Sequence, residues 1–267
     1  DEGGDASPDF ALADLFKAHV MKPTGSSRDR RRRGEETAHT YLRLSPELRA
    51  VTDGPHIPSE PRVSGRRHPV LEGFDQTDLL AFGGVLEPLE LEQETEVPMT
   101  FVPQFPIYPP ETAWMRTPKT NIPGLVLSRH NSSARVAFLP ADLDRRFGRD
   151  HLPDHGNLLA NMVRWSCGGS IPLEVKGPGL IDCHLYRQRG RLVLHIVNLT
   201  NAATWRQPVD ELIPIGPLDV RVKAPSGMNL RRARSLVSGR TIKTRASHEW
   251  IAFEVQSVVD HDVVLLS

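Results

Sequence analysis

The sequence is poor in cysteine, in lysine, in long apolar runs and in net charge. Two cysteines, Cys167 and Cys183, cannot staple 267 residues, so a hydrophobic core must hold the chain, and at this length it can. No apolar run approaches the ~18 residues of a membrane-spanning helix. With 33 basic and 33 acidic residues the formal charge is zero, which argues against binding to nucleic acid or an anionic membrane through bulk charge. Arginine outnumbers lysine 27 to 6, which reads as a GC-rich coding bias rather than a binding surface. No Gly-x-Ser-x-Gly elbow, no Gly-x-Cys-x-Gly elbow and no glycine-rich phosphate loop occurs. Neither a cofactor nor a metal is therefore expected.

What the sequence has in excess is proline: 23 residues, against roughly 13 at the usual frequency of about 5%. Seven of them fall between residues 97 and 123, among Phe101, Phe105, Tyr108, Trp114 and Met115. Each ring fixes its own φ and restrains the residue before it, so an extended, stiff loop is expected. An exposed linker would be polar. A loop this aromatic should pack on its own domain, a sister subunit or a ligand. Phe105, Tyr108, Glu111, Trp114 and Arg116 are its candidate contact residues. Glu111 is the one acid with a sugar-site setting, because Tyr108 and Trp114 can stack on sugar faces. Glycoside hydrolysis, however, needs two facing carboxylates.

The pattern before residue 172 is α/β text. Ser7-Pro8 opens a short amphipathic helix with Leu12, Leu15 and Phe16 on one face. Leu79–Phe82 and Val97–Val102 read as strands, the second as an edge because of Pro98. Gly124–Ser128 and Ala134–Pro140 form two more, joined by a turn at Asn131-Ser132-Ser133. Pro153 opens a helix with a stripe of Leu158, Leu159, Met162 and Val163, stopped by Gly168-Gly169. After Ile171 no helix pattern remains. A hairpin with its turn at Arg189-Gly190, and strands at 218–223, 233–237, 250–255 and 262–266, indicate a small antiparallel sandwich. Two domains follow, 1–171 and 172–267. Both cysteines read as buried small apolar residues. Arg28 and Arg30 to Arg33 read as a solvated loop, since no aromatic residues interleave them for base stacking.

A second candidate cluster is Asp142, Asp144, His151 and His155, just after a strand end where open α/β sheets bind ligands. Pro153 lies between the histidines, so the pair need not share a helical face. Pairing with Arg145, Arg146 and Arg149 is the plainer reading. Asn131-Ser-Ser133 and Asn198-Leu-Thr200 are glycosylation sequons, meaningful only on secretion.

Three longer phrases carry a resemblance: His68-Pro-Val-Leu-Glu-Gly-Phe-Asp-Gln-Thr-Asp-Leu-Leu-Ala-Phe-Gly-Gly84, Phe105-Pro-Ile-Tyr-Pro-Pro-Glu-Thr-Ala-Trp-Met-Arg116 and Arg135-Val-Ala-Phe-Leu-Pro-Ala-Asp-Leu-Asp144. They resemble a group of bacterial glycoside hydrolases. In that group a (β/α)-barrel comes first, then a glutamine-amidotransferase-like domain similar to the trimerisation domain of family 42 β-galactosidases, then a small β-domain. The resemblance covers most of residues 1–266 and implies a partial flavodoxin/amidotransferase-like three-layer α/β domain followed by an antiparallel β-sandwich. It places Asp1 inside that α/β domain, with the barrel and its catalytic acids upstream. It implies no glutaminase, since no nucleophilic cysteine stands in matching context.

The resulting expectation is a non-catalytic region with no nucleic-acid or membrane partner. It would support subunit association, as a homo-oligomer on the pattern of a trimer, together with the upstream barrel of the same polypeptide. A chain beginning at Asp1 without Met reads as a fragment, so a leader would be hidden; a cytoplasmic location is the default. Two alternatives stand beside this reading. One is a carbohydrate-binding module presenting Tyr186, Trp205 or Trp250, although core packing is the expected fate of those rings. The other is an autonomous hydrolase using Asp142, Asp144, His151 and His155.

Overall fold

The computed structural model describes residues 7, 9–21, 40–48, 65–84, 86–93, 95–130, 134–169, 171–200 and 211–267. The arginine loop at 28–33, the turn at 131–133 and Trp205 lie outside them. The chain forms two compact units, Asp1–Gly169 and Ser170–Ser267.

The first unit contains β1 (Ala18–Val20), β2 (Tyr41–Leu44), β3 (Leu79–Ala81), β4 (Leu89–Leu91), β5 (Glu96–Val102), β6 (Pro123–His130) and β7 (Ala134–Phe138). Its α-helices among the described residues are α1 (Ala13–Phe16), α2 (Leu143–Asp150) and α3 (Pro153–Ser166). Five strands form one sheet in the order β3-β2-β5-β6-β7, and β1 pairs with β4 in a separate ribbon. The expected flavodoxin/amidotransferase-like sheet is parallel, but every described pairing here is antiparallel. The connections explain the difference. A parallel pair needs a crossover of a dozen or more residues, usually helical. Here β6 turns back into β7 within three residues, and β5 returns as β6 through the proline loop.

The sheet is buried on both faces. Leu125 and Leu127 of β6 face a core shared with Leu42, Leu80, Met99 and, from α3, Leu158, Met162 and Trp165. Val126, pointing the other way by the period-two alternation of a strand, packs with Ala18, Leu89, Phe16 and Phe138. The Phe16 and Phe138 rings stack at 4.2 Å, interplanar angle 1°.

Several local expectations are corrected. The N-terminal helix shrinks to the single turn of α1, because Lys17 enters the left-handed region at φ 53° and ends it. Leu12 stays exposed rather than joining Phe16. Pro98 lies not on an edge but in the central strand β5, between β2 and β6. A register shift between Glu96 and Met99 accommodates its missing N–H, and its carbonyl still accepts from Ser45 N–H at 2.8 Å. In α3 the inward stripe is His155, Leu158, Met162 and Trp165, at spacings of three and four; Val163 is 56% exposed. Cys167 at the end of α3 is exposed, not buried. Cys183 is half-buried, and burial together with Asp182 pushes its thiol up.

The second unit holds β8 (Leu173–Lys176), β9 (Ile181–Gln188), β10 (Arg191–Asn198), β11 (Leu218–Lys223), β12 (Ala233–Ser235), β13 (Thr241–Ile242), β14 (Thr244–Ser247), β15 (Trp250–Val255) and β16 (His261–Leu266). They form two antiparallel sheets, β13-β12-β16-β10-β9 and β14-β15-β11-β8. One core joins them: Leu194 and Ile196 from the first, Leu218, Val220, Ile251 and Phe253 from the second. Arg189 and Gly190, at φ 45° and 77°, close the β9–β10 hairpin in the mirror-image turn that matches strand twist. β12 stops at Ser235, leaving Leu236 and Val237 exposed. The side chain of Asn198 donates to the Ile213 and Val259 carbonyls at 2.8 and 2.7 Å, so this sequon amide is occupied in holding loops together.

Candidate functional site

The proline-rich loop leaves β5 at Val102 and re-enters the sheet at Pro123. Two anchors hold it to β2. Phe105 stacks on Tyr41, ring centroids 5.7 Å apart. Arg43, buried in the sheet, donates from Nε to the carbonyl of buried Pro118 at 2.5 Å, with a second guanidinium nitrogen 3.8 Å from Met115 Sδ. Burial lowers the Arg43 pKa, and the nearby Asp78 carboxylate opposes that shift. The middle of the loop supports itself. Pro110–Thr112 forms a 3₁₀ turn, and both Thr112 N–H and Oγ1–H donate to the Pro109 carbonyl. The Arg116 guanidinium lies 3.5 Å from the Trp114 ring centre and donates to Thr112 O at 3.1 Å. What remains outside these contacts is the tip, where Ile107 is 53% and Tyr108 81% exposed. The five sequence-predicted residues therefore divide. Phe105 anchors, Trp114 and Arg116 pair with each other, and Tyr108 and Glu111 are presented to solvent.

The polar cluster after β7 is dispersed by its helices. Asp142, at the start of α2, accepts from Arg145 Nε at 2.6 Å. Asp144 is exposed in the first turn. Asp150 takes Arg146 at 3.2 Å and Arg149 at 2.9 Å. His151 closes α2 in the left-handed conformation with its ring against Phe147. His155 points inward and is fully buried; its Nε2–H donates to Ala81 O at 2.7 Å, and no partner reaches Nδ1. That bond fixes the Nε2–H tautomer. Among the described residues no group of three or more His, Cys, Asp or Glu could hold a metal ion.

A third constellation was not legible in the sequence. His19 on β1 lies between two carboxylates, with Nδ1 2.6 Å from Asp9 Oδ2 and Nε2 3.2 Å from Glu92 Oε1. Asp9 Oδ1 also accepts from the backbone N–H of Phe10 and Val20, each at 2.9 Å. The hydrogen bond from His19, then that from Val20, pulls the Asp9 carboxyl down to about 2. The bonds to Asp9 and Glu92 raise the His19 imidazolium above its ordinary value. Because the His19 pKa is raised on folding, its contribution is complete below about pH 6.5 and fades as pH climbs through the raised value. Because the Asp9 pKa is lowered, its contribution is complete above about pH 4 and fades on acidification toward its depressed value. Thermal stability is thus expected to peak between those limits. In His19→Gln the decline above about pH 6.5 should flatten, as read by circular dichroism melts. A variant with the same alkaline slope as wild type would show that His19 does not carry it.

In the second unit, Tyr186 stands on the outer face of β9, 55% exposed, beside His184 and edge-on to His195 at 5.6 Å. It is not in the core, as sequence reasoning expected. Trp250 is half-buried under the Arg221 guanidinium at 4.8 Å.

No family model matches the chain, and no curated protein matches it. Among solved structures, α-L-fucosidase isoenzyme 2 from Paenibacillus thiaminolyticus superposes with a TM-score of 0.55 at 15% identity, over 76% of this chain and 32% of that one. The β-galactosidase from Bacillus circulans sp. alkalophilus aligns over 96% of this chain and 25% of its own, at 11% identity and a TM-score of 0.41. This chain thus spans about a third of the fucosidase's length. With the fucosidase, a glycoside hydrolase, this chain shares the fold of a part.

Proposed function

We propose that this chain is a non-catalytic part of a larger glycoside hydrolase. Its role is subunit association and support of a catalytic barrel in the same polypeptide. Loop 103–118 is the contact element. The observation that carries the reading is the loop's construction: a proline-fixed segment anchored at Arg43 and Phe105 that leaves Ile107 and Tyr108 in solvent. A rigid, aromatic tip loses little entropy on binding, and tyrosine is enriched among the residues that carry interface energy. A self-contained loop would instead fold these side chains onto its own domain.

The non-catalytic half of the proposal is supported by the fate of the acids and histidines after β7. Asp142 is engaged by Arg145, and His155 by a backbone carbonyl inside the core. A homo-oligomer is the consequence of the same proposal, and it rests on the loop rather than on a trimerisation-domain fold, whose parallel sheet the first unit does not have.

Sedimentation velocity of the chain and of its Ile107→Asp/Tyr108→Asp double variant tests the contact. Both side chains are exposed, so the fold should persist. The expected result is association of the wild type weakened at least about tenfold by two buried charges. Identical sedimentation of the two would remove the loop from the interface. Turnover of a p-nitrophenyl glycoside by the purified chain, abolished in Asp142→Asn, would overturn the non-catalytic role.

A further inference from the structure

Among the described residues the sandwich of the second unit is not closed all the way round. β14 pairs with β15 from Ser247–Trp250 to Thr244–Phe253 and then leaves it. From Glu254 onward β15 has a described partner only on its β11 side. The departing chain crosses through Lys243 to become β13, which pairs with β12 alone. Between these two short unpaired edges lies an open groove of about 970 Å³. That is at the upper end of the range for ligand sites.

The chemistry of its walls differs from side to side. One side, the β13–β14 crossing, supplies donors: Arg240, Lys243 and Arg245, none of which forms an ion pair among the described residues. The other, from the end of β15 to the start of β16, supplies acceptors: Glu254, one oxygen of which takes Gln256 Nε2–H, Asp260, and Asp262, which accepts from Ser235. The backbone and side-chain N–H of His261 hold the Asp260 carboxyl below its ordinary range, so it is a standing acceptor at neutral pH. Ile242 and Val255 put apolar surface among these groups.

We infer that this groove binds a neutral oligosaccharide. A sugar hydroxyl donates and accepts at once, so a chain of sugars satisfies a donor wall and an acceptor wall together, while its C–H faces cover the apolar lining. A free anion would be attracted by Arg240 and Lys243 and repelled by Glu254 and Asp260. A peptide strand would need a run of unpaired backbone, and the edges offer only two residues on β13 and the short segment after Phe253 on β15. The groove lies outside the contact loop, so the inference goes beyond the association role and stands or falls separately from it.

The test uses the whole chain with cellotetraose and β-1,4-galactotetraose as neutral probes and tetragalacturonate as the anionic one, followed by saturation-transfer NMR and calorimetry. A neutral tetrasaccharide is expected to bind with a Kd of about 0.1–1 mM. Lys243→Ala and Glu254→Ala should each weaken it about tenfold, the worth of one hydrogen bond to a charged group. Tyr186→Ala, which alters the exposed ring on β9, should leave it unchanged. Melting temperatures identify a variant that merely unfolds, and either groove variant alone decides. Binding undiminished in either folded groove variant, loss on Tyr186→Ala, binding of tetragalacturonate alone, or no neutral binding up to about 10 mM would overturn the inference. The Ile107→Asp/Tyr108→Asp variant should bind sugar as wild type does, so a failed contact loop and a failed groove give different results.

Discussion

His155→Ala is expected to cost about 3 kcal/mol of unfolding free energy, read from urea denaturation followed by circular dichroism. The imidazole is fully buried in the inward stripe of α3 and ties that helix to the strand beneath it through Ala81 O at 2.7 Å. Alanine removes the bond and leaves a cavity the size of a ring. Leu158 and Met162 on the same stripe of α3, and Leu80 next to Ala81 on β3, are themselves buried in the packed core, so the space closes only in part. His155→Leu separates the two losses. Leucine refills most of the volume and also abolishes the unpartnered Nδ1, a buried acceptor that is itself a liability. The leucine variant should therefore lose less than half of what alanine loses. If alanine costs nothing, the ring is not part of the core. If leucine costs as much as alanine, the hydrogen bond outweighs the packing.

This histidine also marks what a sequence can and cannot say. Its spacing from Leu158, Met162 and Trp165 is a helical stripe, yet a histidine four residues after His151 draws attention as chemistry before it is weighed as core. Local signals were readable. Arg189-Gly190 makes its hairpin because two positive φ angles are needed there, and β11 and β15 lie where the alternation of apolar residues puts them. Nonlocal ones were not. Pro98 suggested an edge because a proline cannot donate to a ladder; the register shift that admits it to a central strand depends on β6, about 25 residues further on. The antiparallel order of the first sheet follows from which strands meet, and composition is silent about that. The Asp9–His19–Glu92 clasp joins residues separated by 10 and 73 positions, with no motif between them. The groove beside β13 exists because one strand changes sheets at Lys243. The contact loop was visible as a composition, but its anchor, Arg43, was not. An arginine in a four-residue strand gives no sign that it will be buried against a carbonyl 75 residues away.

Removing that anchor should have the second large effect. Arg43→Ala is expected to lose about 3 kcal/mol and to free the return of the proline loop. The carbonyl of Pro118 is left without its donor, the Met115 contact goes, and the space of a long side chain opens inside the sheet. Arg43→Met isolates the guanidinium. It keeps an unbranched stem to pack, and it removes a charge whose burial already depresses its pKa, so part of the loss is recovered. The loop reports on itself through trypsin. Arg116 and Lys119 flank the anchored segment and are exposed, but the segment is tied by the Arg116 guanidinium on Thr112 O and by Arg43 on Pro118 O. Cleavage after these two residues should accelerate at least about tenfold in both variants, because opening a segment tied by few contacts costs little once one tie is cut. Accelerated cleavage in Arg43→Met with near-wild-type global stability would place the anchoring in the hydrogen bond itself. Unchanged cleavage in both would mean that the prolines and the Phe105–Tyr41 stack hold the loop unaided.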